Sequence, residues 1–479
     1  MYEAACRQYL TIVTIIIEYI MLMIRNKILC LHHRRASPDK KSIHNNRFPV
    51  VLVLAAALLT VNGPVSGQEQ MPLSQCIDTA LKNNPLIRSA TGAAIAADKR
   101  ILQSSAAYYP QIQGSTGYSE NHSLGAFGNS VTKGYSTTLS VNQLLYDFGR
   151  TRGAYAAAAA GFQSAENERT RVVQEVVLNV KQAYFSLLQA QKLVMVAQKT
   201  LEQGESHLKQ AQAFFTAGAK PRFDVTRAEV EVNNAKLGLL NAQNDLRLAM
   251  ISLNNAMGID PSTQLVIEDS PVSTATVPTL EDAQKEALTK RPEMAKADAD
   301  VRAADARVRA AEGGHFPSLS ASGSYTWSNG TSDFGSMNGA ELKTDLGNSW
   351  NAAVTLSVPL FEGGITSGKI GEARANKMVI EAQRDGLKQS ILLEVNQAYA
   401  GYENAGARIL VMESSLKKAR ENLDIAQGRY QAGVGPYIEV IDAQVAAVKA
   451  EMDSLQAYYD LQFSIAKLQK AMGVMMPPY

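Results

Sequence analysis

Cysteine is almost absent from this chain, which has three in 479 residues. Cys6 and Cys30 fall in an N-terminal leader described below, so Cys76 is left without a partner and no disulfide framework is expected. Residues 72–75, immediately before Cys76, read Pro-Leu-Ser-Gln. A lipid-anchored cysteine needs small residues there, so we predict no acylation.

Histidine is also scarce, and its distribution excludes most metal chemistry. His122, His207 and His315 lie in a predicted loop, a coiled coil and the approach to a strand, without the spacing of metal ligands. The glycines of Gly433-Val434-Gly435 are a lone pair rather than a phosphate-binding loop. We therefore predict no catalytic residues, no metal site and no cofactor.

An excess of charge of one sign is missing as well. Residues 1–67 contain eight of the 47 basic and three of the 45 acidic residues, so the remainder carries 39 basic and 42 acidic groups. The slight basicity of the whole chain belongs to the leader. Nothing in the charge pattern favours a nucleic-acid partner.

The leader, residues 1–67, resembles an export signal in its second part. An apolar core at 48–61 follows Arg47 and a basic run, and small residues precede a predicted cleavage near Gly67, so we place the signal peptide at about 46–67. The core is short for a membrane span of about 20 residues, and an uncleaved anchor is the alternative. We interpret residues 1–46 as a start assigned too far upstream rather than a functional extension.

The rest of the chain consists of two copies of one sequence unit. A shift of 215 positions superimposes Leu-Asn-Asn-Ala-Met-Gly at 253–258 on Leu-Gln-Lys-Ala-Met-Gly at 468–473. Upstream, a shift of 207 superimposes Tyr109-Pro110 on Phe316-Pro317. We predict two repeats, residues 72–260 and 279–476, each built as a helix, two strands, a long helix and a return helix.

Turn signals are nearly lacking between Gly149 and Gly218 and again between Gly364 and Gly433. Each stretch predicts a helix of about 68 residues, roughly 100 Å long at 1.5 Å per residue. Apolar residues recur there at alternating steps of three and four, as coiled-coil seams require. In the first long helix the seam comprises Val180, Ala183, Leu187, Ala190, Val194, Ala197, Leu201, Gly204, Leu208, Ala211 and Phe215.

The same spacing continues after each Gly/Pro turn, so each repeat is expected to contain a helical hairpin. The first return helix has its seam at Val225, Ala228, Val232, Ala235, Leu239, Ala242, Leu246, Ala249, Leu253 and Ala256. Alanine dominates these seams, which implies close helix approach and little buried area per heptad. We therefore expect lateral packing against further helices.

Segments of period two lie between the helices. Residues 111–118, 136–141, 318–327 and 350–358 alternate apolar or small with polar residues, and the polar positions are rich in serine and threonine. Four strands of about ten residues, with one apolar face and aromatic residues toward the ends, are typical of transmembrane β-strands. Soluble sheets also alternate, but the export signal and the serine-rich opposite face favour the membrane.

A sheet of four strands would leave the backbone hydrogen-bonding groups of its edge strands unpaired inside a bilayer, so the chain must oligomerise. Two copies would give eight strands, a barrel filled by its own side chains, whereas three give twelve strands and room for water. With the polar faces inward, we predict a trimeric pore.

At this point the chain resembles the TolC-type outer-membrane efflux family over about residues 72–476. The resemblance rests on the duplicated layout, on the strand-to-helix joints at 145–149 and 360–364, and on the hairpin-tip motifs around Gly218 and Gly433. It implies a mixed α and β fold: a homotrimer with a twelve-stranded outer-membrane β-barrel, four strands per chain, continued by a long coiled-coil α-helical barrel across the periplasm. It also implies docking of the tips to a periplasmic adaptor and an inner-membrane pump, proton-driven or of the ABC type.

The resemblance further implies that the protein is a passive, gated duct in the outer membrane of a Gram-negative bacterium. Glu439 and Asp442 occupy positions where the family places acidic residues that ring the closed periplasmic entrance. At i and i+3 they share a helix face, and such a ring favours cations. The simpler interpretation is that both carboxylates complement the helix dipole.

The resemblance assigns an aperture latch to Asp224, which in the family bonds to the other hairpin, and to Tyr430 as one of its partners. The second partner, an arginine in the family, falls here on Gly435, so Arg227 or Arg222 could replace it. Gly218 and Gly433 are expected to permit the tight tips that dock the adaptor. Pro221 and Pro436 suit the first position of the return helices.

Two other classes of protein remain as alternatives. A periplasmic adaptor also has a signal peptide and a coiled-coil hairpin, but it carries one hairpin inserted in a small β-domain, whereas this chain carries two hairpins and two strand pairs. A purely structural coiled coil would leave the strands unexplained.

Overall fold

The structure is a computed structural model that describes residues 70–125, 128–269, 277–337 and 340–475. The predicted leader, residues 1–67, and residue 476 of the predicted second repeat lie outside the described residues.

The order of elements is the same in both halves of the chain except that the second half has three strands rather than the two predicted for each repeat, the additional one being the short strand Ala340–Asp345. In the first half it is α1 Leu73–Asn83, α2 Pro85–Ser105, β1 Gln111–Gly125, β2 Gly128–Tyr146, α3 Arg150–Thr216 and α4 Arg222–Met257. In the second half it is α5 Leu280–Lys290, α6 Pro292–Glu312, β3 Ser318–Met337, β4 Ala340–Asp345, β5 Ser349–Ser357, α7 Ile365–Gln431 and α8 Tyr437–Ala471.

The helix that was predicted at the start of each repeat is in fact two helices. Asn84 takes an extended backbone with φ −64° and ψ 125°, because the proline that follows disfavours the helical conformation at the preceding residue. The Asn84 side chain then caps α2 by accepting a hydrogen bond from Leu86 N at 2.9 Å. Arg291, before Pro292, makes the same break between α5 and α6.

Arg291 also anchors a partly buried ion-pair network at this break. Its guanidinium is 2.9 Å from a carboxylate oxygen of Glu293 and 2.7 Å from one of Glu394 on α7. Lys470 on α8 contacts the other oxygen of Glu394 at 2.9 Å. The network therefore ties the α5–α6 break to the second helical hairpin.

The two long helices are confirmed at 67 residues each. Their seam residues are buried or half-buried, and Val180 and Leu187 are fully enclosed. Phe215 is the exception: it was predicted on the seam but is 45% exposed, because the helix ends one residue later and its partner helix has not yet begun.

The expected lateral packing is present. Helix α3 packs against α1, α2 and α4 of its own half and against α6 and α8 of the second half. The main apolar cluster joins Cys76, Tyr184, Leu253 and Met257, and the Tyr184 hydroxyl donates to the Glu268 carbonyl at 2.5 Å. Among the described helices, none has a stretch both long and apolar enough to span a membrane.

The strands form one antiparallel sheet in the order β1, β2, β3, with β4 and β5 both paired to β3. The predicted lengths were wrong for β1 to β3, which have 15, 19 and 20 residues. Alternation weakens beyond their predicted ends, and cross-strand hydrogen bonding extends the strands there. His122, predicted in a loop, lies in β1 and contacts Glu120.

Candidate functional site

The sheet presents two chemically distinct faces. Gly114, Leu139, Tyr325 and Trp350 lie opposite one another in a single row that crosses β1, β2, β3 and β5. The Trp350 side chain is 76% exposed in the single chain. The neighbouring rows of this face add Ile112, Val141, Tyr118, Tyr135, Trp327, Val354 and Leu356.

The opposite face is polar along the same strands. Thr138 and Thr326 face each other on it, with their hydroxyl oxygens 2.9 Å apart, and Thr132 and Ser332 pair in the same way at 2.7 Å. The alternation read from sequence therefore becomes a hydroxyl-rich face and an apolar face, and the apolar face ends beyond Tyr118 and Tyr135 at the charged pair Glu120 and Lys133. An apolar exterior with a polar interior is the arrangement of a membrane barrel.

Asp147 builds the joint between β2 and α3. Its carboxylate accepts hydrogen bonds from Thr151 N at 2.7 Å and from the Thr151 hydroxyl at 2.6 Å, which closes the first turn of the helix. In the second half Glu362 accepts a hydrogen bond from the Thr366 hydroxyl at the corresponding place. The two joint motifs of the sequence thus have one structural purpose, to redirect the chain from sheet to helix.

Each hairpin tip is a glycine turn of the same geometry. Gly218 and Gly433 have φ of 74° and 76°, in the left-handed region that glycine adopts without strain. Ala219 N bonds to Phe214 O at 2.9 Å and Gly218 N to Phe215 O at 2.9 Å, the two bonds of a Schellman cap. The predicted tight tips are therefore explained by backbone hydrogen bonds at the ends of α3 and α7.

Helices α4 and α8 begin one residue later than predicted, so Pro221 and Pro436 occupy the N-cap rather than the first helical position. Their backbone is extended, and their carbonyl oxygens accept from the amides of Asp224 and Glu439 at 3.1 and 3.2 Å. Proline suits this cap because its ring fixes φ near the observed values of −73° and −74°.

Aromatic side chains join the two hairpins near their tips. Tyr430 is 3% exposed, and its ring centroid lies 5.3 Å from that of Tyr437 and 6.0 Å from that of Phe214. His207 on α3 approaches Tyr437 at 6.3 Å, and burial lowers the pKa of His207, which keeps the imidazole neutral at pH 7. This cluster also encloses Ala211, Ala228 and Val440.

The structure brings Tyr430 close to Asp224 without a hydrogen bond between them. The Tyr430 hydroxyl is buried and has no hydrogen-bond partner among the described residues. Burial raises the pKa of Tyr430, and the charge of Asp224 raises it further. Lys220 lies over the Tyr430 ring, with its ammonium 5.3 Å from the centroid.

Glu439 and Asp442 both lie on the exposed side of α8, while Val440, Ile441 and Ala443 are buried. Glu439 is not a free carboxylate: Arg429, in the last turn of α7, donates from Nε to Glu439 Oε2 at 3.2 Å. Sequence reasoning missed Arg429. The signal that could have identified this ion pair was an arginine one turn before the tip glycine, followed by an acidic residue at the third position of the return helix.

Gly435 lies directly beneath this ion pair. A Cβ there would come within 3.1 Å of Arg429 Cβ and 3.3 Å of Glu439 Oε2. Arg227 instead lies 6.0 Å from the Phe223 ring, and neither Arg222 nor Arg227 forms an ion pair within the described residues. The glycine that replaces the expected arginine thus leaves room for an arginine from the preceding helix.

Titratable residues do not gather elsewhere in a way that suggests catalysis. Within the described part of the chain, no group of three or more histidine, cysteine, aspartate or glutamate residues could hold a metal ion. Cys76 is fully buried, and burial raises the pKa of its thiol to about 12, so a reactive thiolate is disfavoured.

Comparisons with known proteins agree with this architecture. The sequence profile of the family described as outer membrane efflux protein matches residues 76–259 and 283–474. The outer membrane protein TolC of Vibrio cholerae is 24% identical over 433 residues, which are 88% of this chain and 95% of that protein. The probable outer membrane lipoprotein SilC of Salmonella typhimurium is 24% identical over 84% of this chain and 85% of its own length.

The cation efflux system protein CusC of Escherichia coli K12 is 25% identical over 83% of this chain and 85% of its own. Among solved structures, the outer-membrane channel OprN superimposes with a TM-score of 0.73 at 21% identity, over 85% of this chain and 91% of that one. The outer membrane protein VceC of Vibrio cholerae gives 0.70 at 20% identity, over 84% and 96%. The fold is therefore shared along nearly the whole described chain, and the profile covers both halves. The chain belongs to the outer membrane efflux protein family, a family of outer-membrane channel proteins rather than enzymes.

Proposed function

We propose that three copies of this chain form the outer-membrane channel of a tripartite efflux or type I secretion system. The observation that carries the proposal is the sheet, whose apolar, aromatic face is exposed across all four strand positions. Its outer edges, β1 on one side and β4 with β5 on the other, pair with no further described strand. An open sheet cannot remain in a bilayer, whereas a closed barrel can.

A trimer fits the chemistry of the polar face better than a dimer does. Three copies supply twelve strand positions, enough for a water-filled lumen lined by the serine and threonine hydroxyls. Two copies would bury those hydroxyls in a barrel filled by its own side chains. The helices of 67 residues, roughly 100 Å long, would continue the lumen away from the membrane.

Transport through such a channel is passive, and energy is supplied by a partner. We assign an inner-membrane pump and a periplasmic adaptor to this system. We further propose that the adaptor docks at the hairpin tips, which contain Gly218, Pro221, Gly433 and Pro436. The relative CusC is named as part of a cation efflux system, which supports a multi-component exporter. The family assignment favours the channel over the adaptor that the sequence left as an alternative.

We also assign the periplasmic gate to the tips of the hairpins. Glu439 and Asp442 would ring the entrance, since both are exposed on one side of α8. Asp224 and Tyr430 would form the latch, supported by their proximity and by the unsatisfied Tyr430 hydroxyl. The predicted signal peptide at about 46–67 would export the chain to the periplasm before insertion.

The proposal is tested by purifying the protein from outer-membrane fractions in mild detergent. We expect a mass of three chains, and discrete ion-conducting steps when the protein is added to a planar lipid bilayer. A monomer in detergent that conducts no ions would refute the proposal. Recovery with the inner membrane or in the soluble fraction would instead support an adaptor.

A further inference from the structure

A cavity of about 600 Å³ lies between the first helical hairpin and α8 of the second. Helix α3 packs against both α4 and α8 and forms the floor of the cavity, while α4 and α8 form its two walls. The volume falls within the range of about 300–1,000 Å³ that holds a drug-sized molecule. Glu439 and Asp442 do not line this cavity, so it is separate from the proposed entrance ring.

Small residues create the space. Ala197 and Gly204 lie seven residues apart on the floor, and Gly238 on the α4 wall has no atom within 4 Å of where a Cβ would stand. In the second copy of the sequence unit, 215 positions later, Ala197 and Gly204 are replaced by the larger Met412 and Ala419. The small floor is therefore a property of the first hairpin's own sequence rather than of the duplicated pattern.

The α8 wall presents apolar side chains to the open side of the cavity. Val445 is 57% exposed and Met452 is 44% exposed, although both line it. Exposed apolar surface beside a concave site is the surface that an apolar ligand covers on binding. Tyr437 and Ile441 line the cavity as well, and they belong to the cluster that joins the hairpins near their tips. A ligand in the cavity would therefore contact both hairpins.

Acidic side chains border this apolar surface. Glu231 and Asp245 on α4 and Asp453 on α8 line the cavity, and Lys449 is the one basic residue among the lining residues. None of these four side chains forms an ion pair or a hydrogen bond with another described residue. The lining thus carries three carboxylates and one ammonium, two net negative charges. Glu231 and Asp245 are 14 residues, about 21 Å, apart on α4, so carboxylates border both ends of the cavity.

We propose that this cavity binds a lipophilic organic cation. The ligand covers Val445 and Met452 with its apolar surface and places its charge against a carboxylate of Glu231, Asp245 or Asp453. A neutral ligand would leave the carboxylates without a counter-charge, and an anion would be repelled by them. All lining residues belong to one chain, so the proposal does not depend on the proposed trimer.

Equilibrium dialysis of the full chain in mild detergent tests the proposal with two ions of the same size and shape. Tetraphenylphosphonium is positive and tetraphenylborate is negative, and protein-free micelles give the background partition of each ion. We expect saturable binding of tetraphenylphosphonium and at least about tenfold weaker binding of tetraphenylborate. Equal binding of the two ions would overturn the proposal. So would an absence of saturable tetraphenylphosphonium binding, which is the result expected if a neighbouring chain fills the cavity.

Filling the floor tests where the cation binds. Ala197→Met introduces the residue of the second copy and should abolish saturable binding, because the side chain occupies the cavity. The matched control, Ala213→Met, places the same side chain at an exposed position of α3 that does not line the cavity and should bind as wild type does. Equal loss of binding in both variants, or full binding by Ala197→Met, would overturn the assignment to this cavity.

Removing the carboxylates tests the charge while keeping the shape. Glu231→Gln, Asp245→Asn and Asp453→Asn should each weaken tetraphenylphosphonium binding about threefold, as expected of a partly exposed ion pair. The triple variant retains only Lys449 and should prefer tetraphenylborate. Glu229→Gln, at an exposed α4 position outside the cavity, is the control. An unchanged ion preference in the triple variant would overturn the proposal, whereas a monomeric, non-conducting protein that binds the cation as expected would refute only the proposed channel.

Discussion

The ion pair between Arg429 and Glu439 predicts how the proposed periplasmic entrance selects ions. Per chain, Glu439 and Asp442 bring two negative charges and Arg429 brings one positive charge at 3.2 Å from Glu439. In the proposed trimer, the proposed wild-type ring of Glu439, Asp442 and Arg429 therefore carries three net negative charges. Arg429→Gln raises this to six, and Glu439→Gln reduces it to zero although Asp442 remains.

The size of the effect follows from Coulomb's law. A unit charge about 8 Å from a permeating ion contributes about 0.5 kcal/mol in water, and 0.1 M salt reduces this to about 0.2 kcal/mol. The three additional charges of Arg429→Gln stabilise a cation and destabilise an anion by about 0.7 kcal/mol each. The ratio of cation to anion permeability should then rise about tenfold in 0.1 M salt and less than about twofold in 1 M salt.

The assay is the reversal potential of single channels in a planar bilayer under a potassium chloride gradient. The double variant Arg429→Gln with Glu439→Gln restores three net charges and should return to wild-type selectivity. Arg408→Gln is the control, because Arg408 pairs with Asp460 at 3.2 Å in the same hairpin but lies 21 residues, about 30 Å, from Arg429. An unchanged reversal potential in Arg429→Gln, or an equal change in Arg408→Gln, would refute the reasoning.

Three further outcomes follow from burial and charge. Val411→Glu should weaken the proposed oligomer by at least about 1 kcal/mol per interface, measured as dissociation by urea in detergent, because its equivalent Val196 is buried in the first half; Leu410→Glu should not, because its equivalent Met195 stays 63% exposed there. Cys76 should resist Ellman's reagent at pH 8 until urea unfolds the protein, since burial raises the pKa of its thiol to about 12; prompt labelling would contradict the buried position. Burial raises the pKa of Glu394, but hydrogen bonds from Lys470 and Arg291 outweigh it and hold that pKa below its ordinary value. Ionised Glu394 thus stabilises the fold above the unfolded-state pKa, and this contribution is lost as pH falls through the folded-state pKa; the urea midpoints of wild type and Glu394→Gln should therefore differ at pH 7 and converge in acid.

Local periodicity was enough to predict the long helices and their seams. Val180, Leu187 and Ala211 are buried as the steps of three and four require, because a helix fixes which residues share a face. The same argument failed at Phe215, where the helix ends and no partner remains to cover the side chain. It also failed at Asn84, where steric clash with a following proline divides one predicted helix into two.

The candidate site was predicted less completely. The tip glycines and the exposed acids Glu439 and Asp442 lie at the hairpin tip where the resemblance placed them, and their roles remain proposals. Arg429 was missed, because it is ten residues from Glu439 and meets it only after the Schellman turn reverses the chain. The consequence is that the charge of the tip cannot be counted from the acidic residues alone.

The sequence by itself determined the duplication, the lengths of the helices and the two faces of the sheet, since each depends on residues close together in the chain. Only the tertiary structure decided which of the two equivalent long helices is covered. The positions of Val196 and Val411 are equivalent in the duplication, and both are valine, yet Val196 is buried where α3, α4 and α8 come together and Val411 is exposed. Burial depends on which distant helix comes to lie alongside, and a repeat that is identical in pattern becomes asymmetric when it is folded as a single chain.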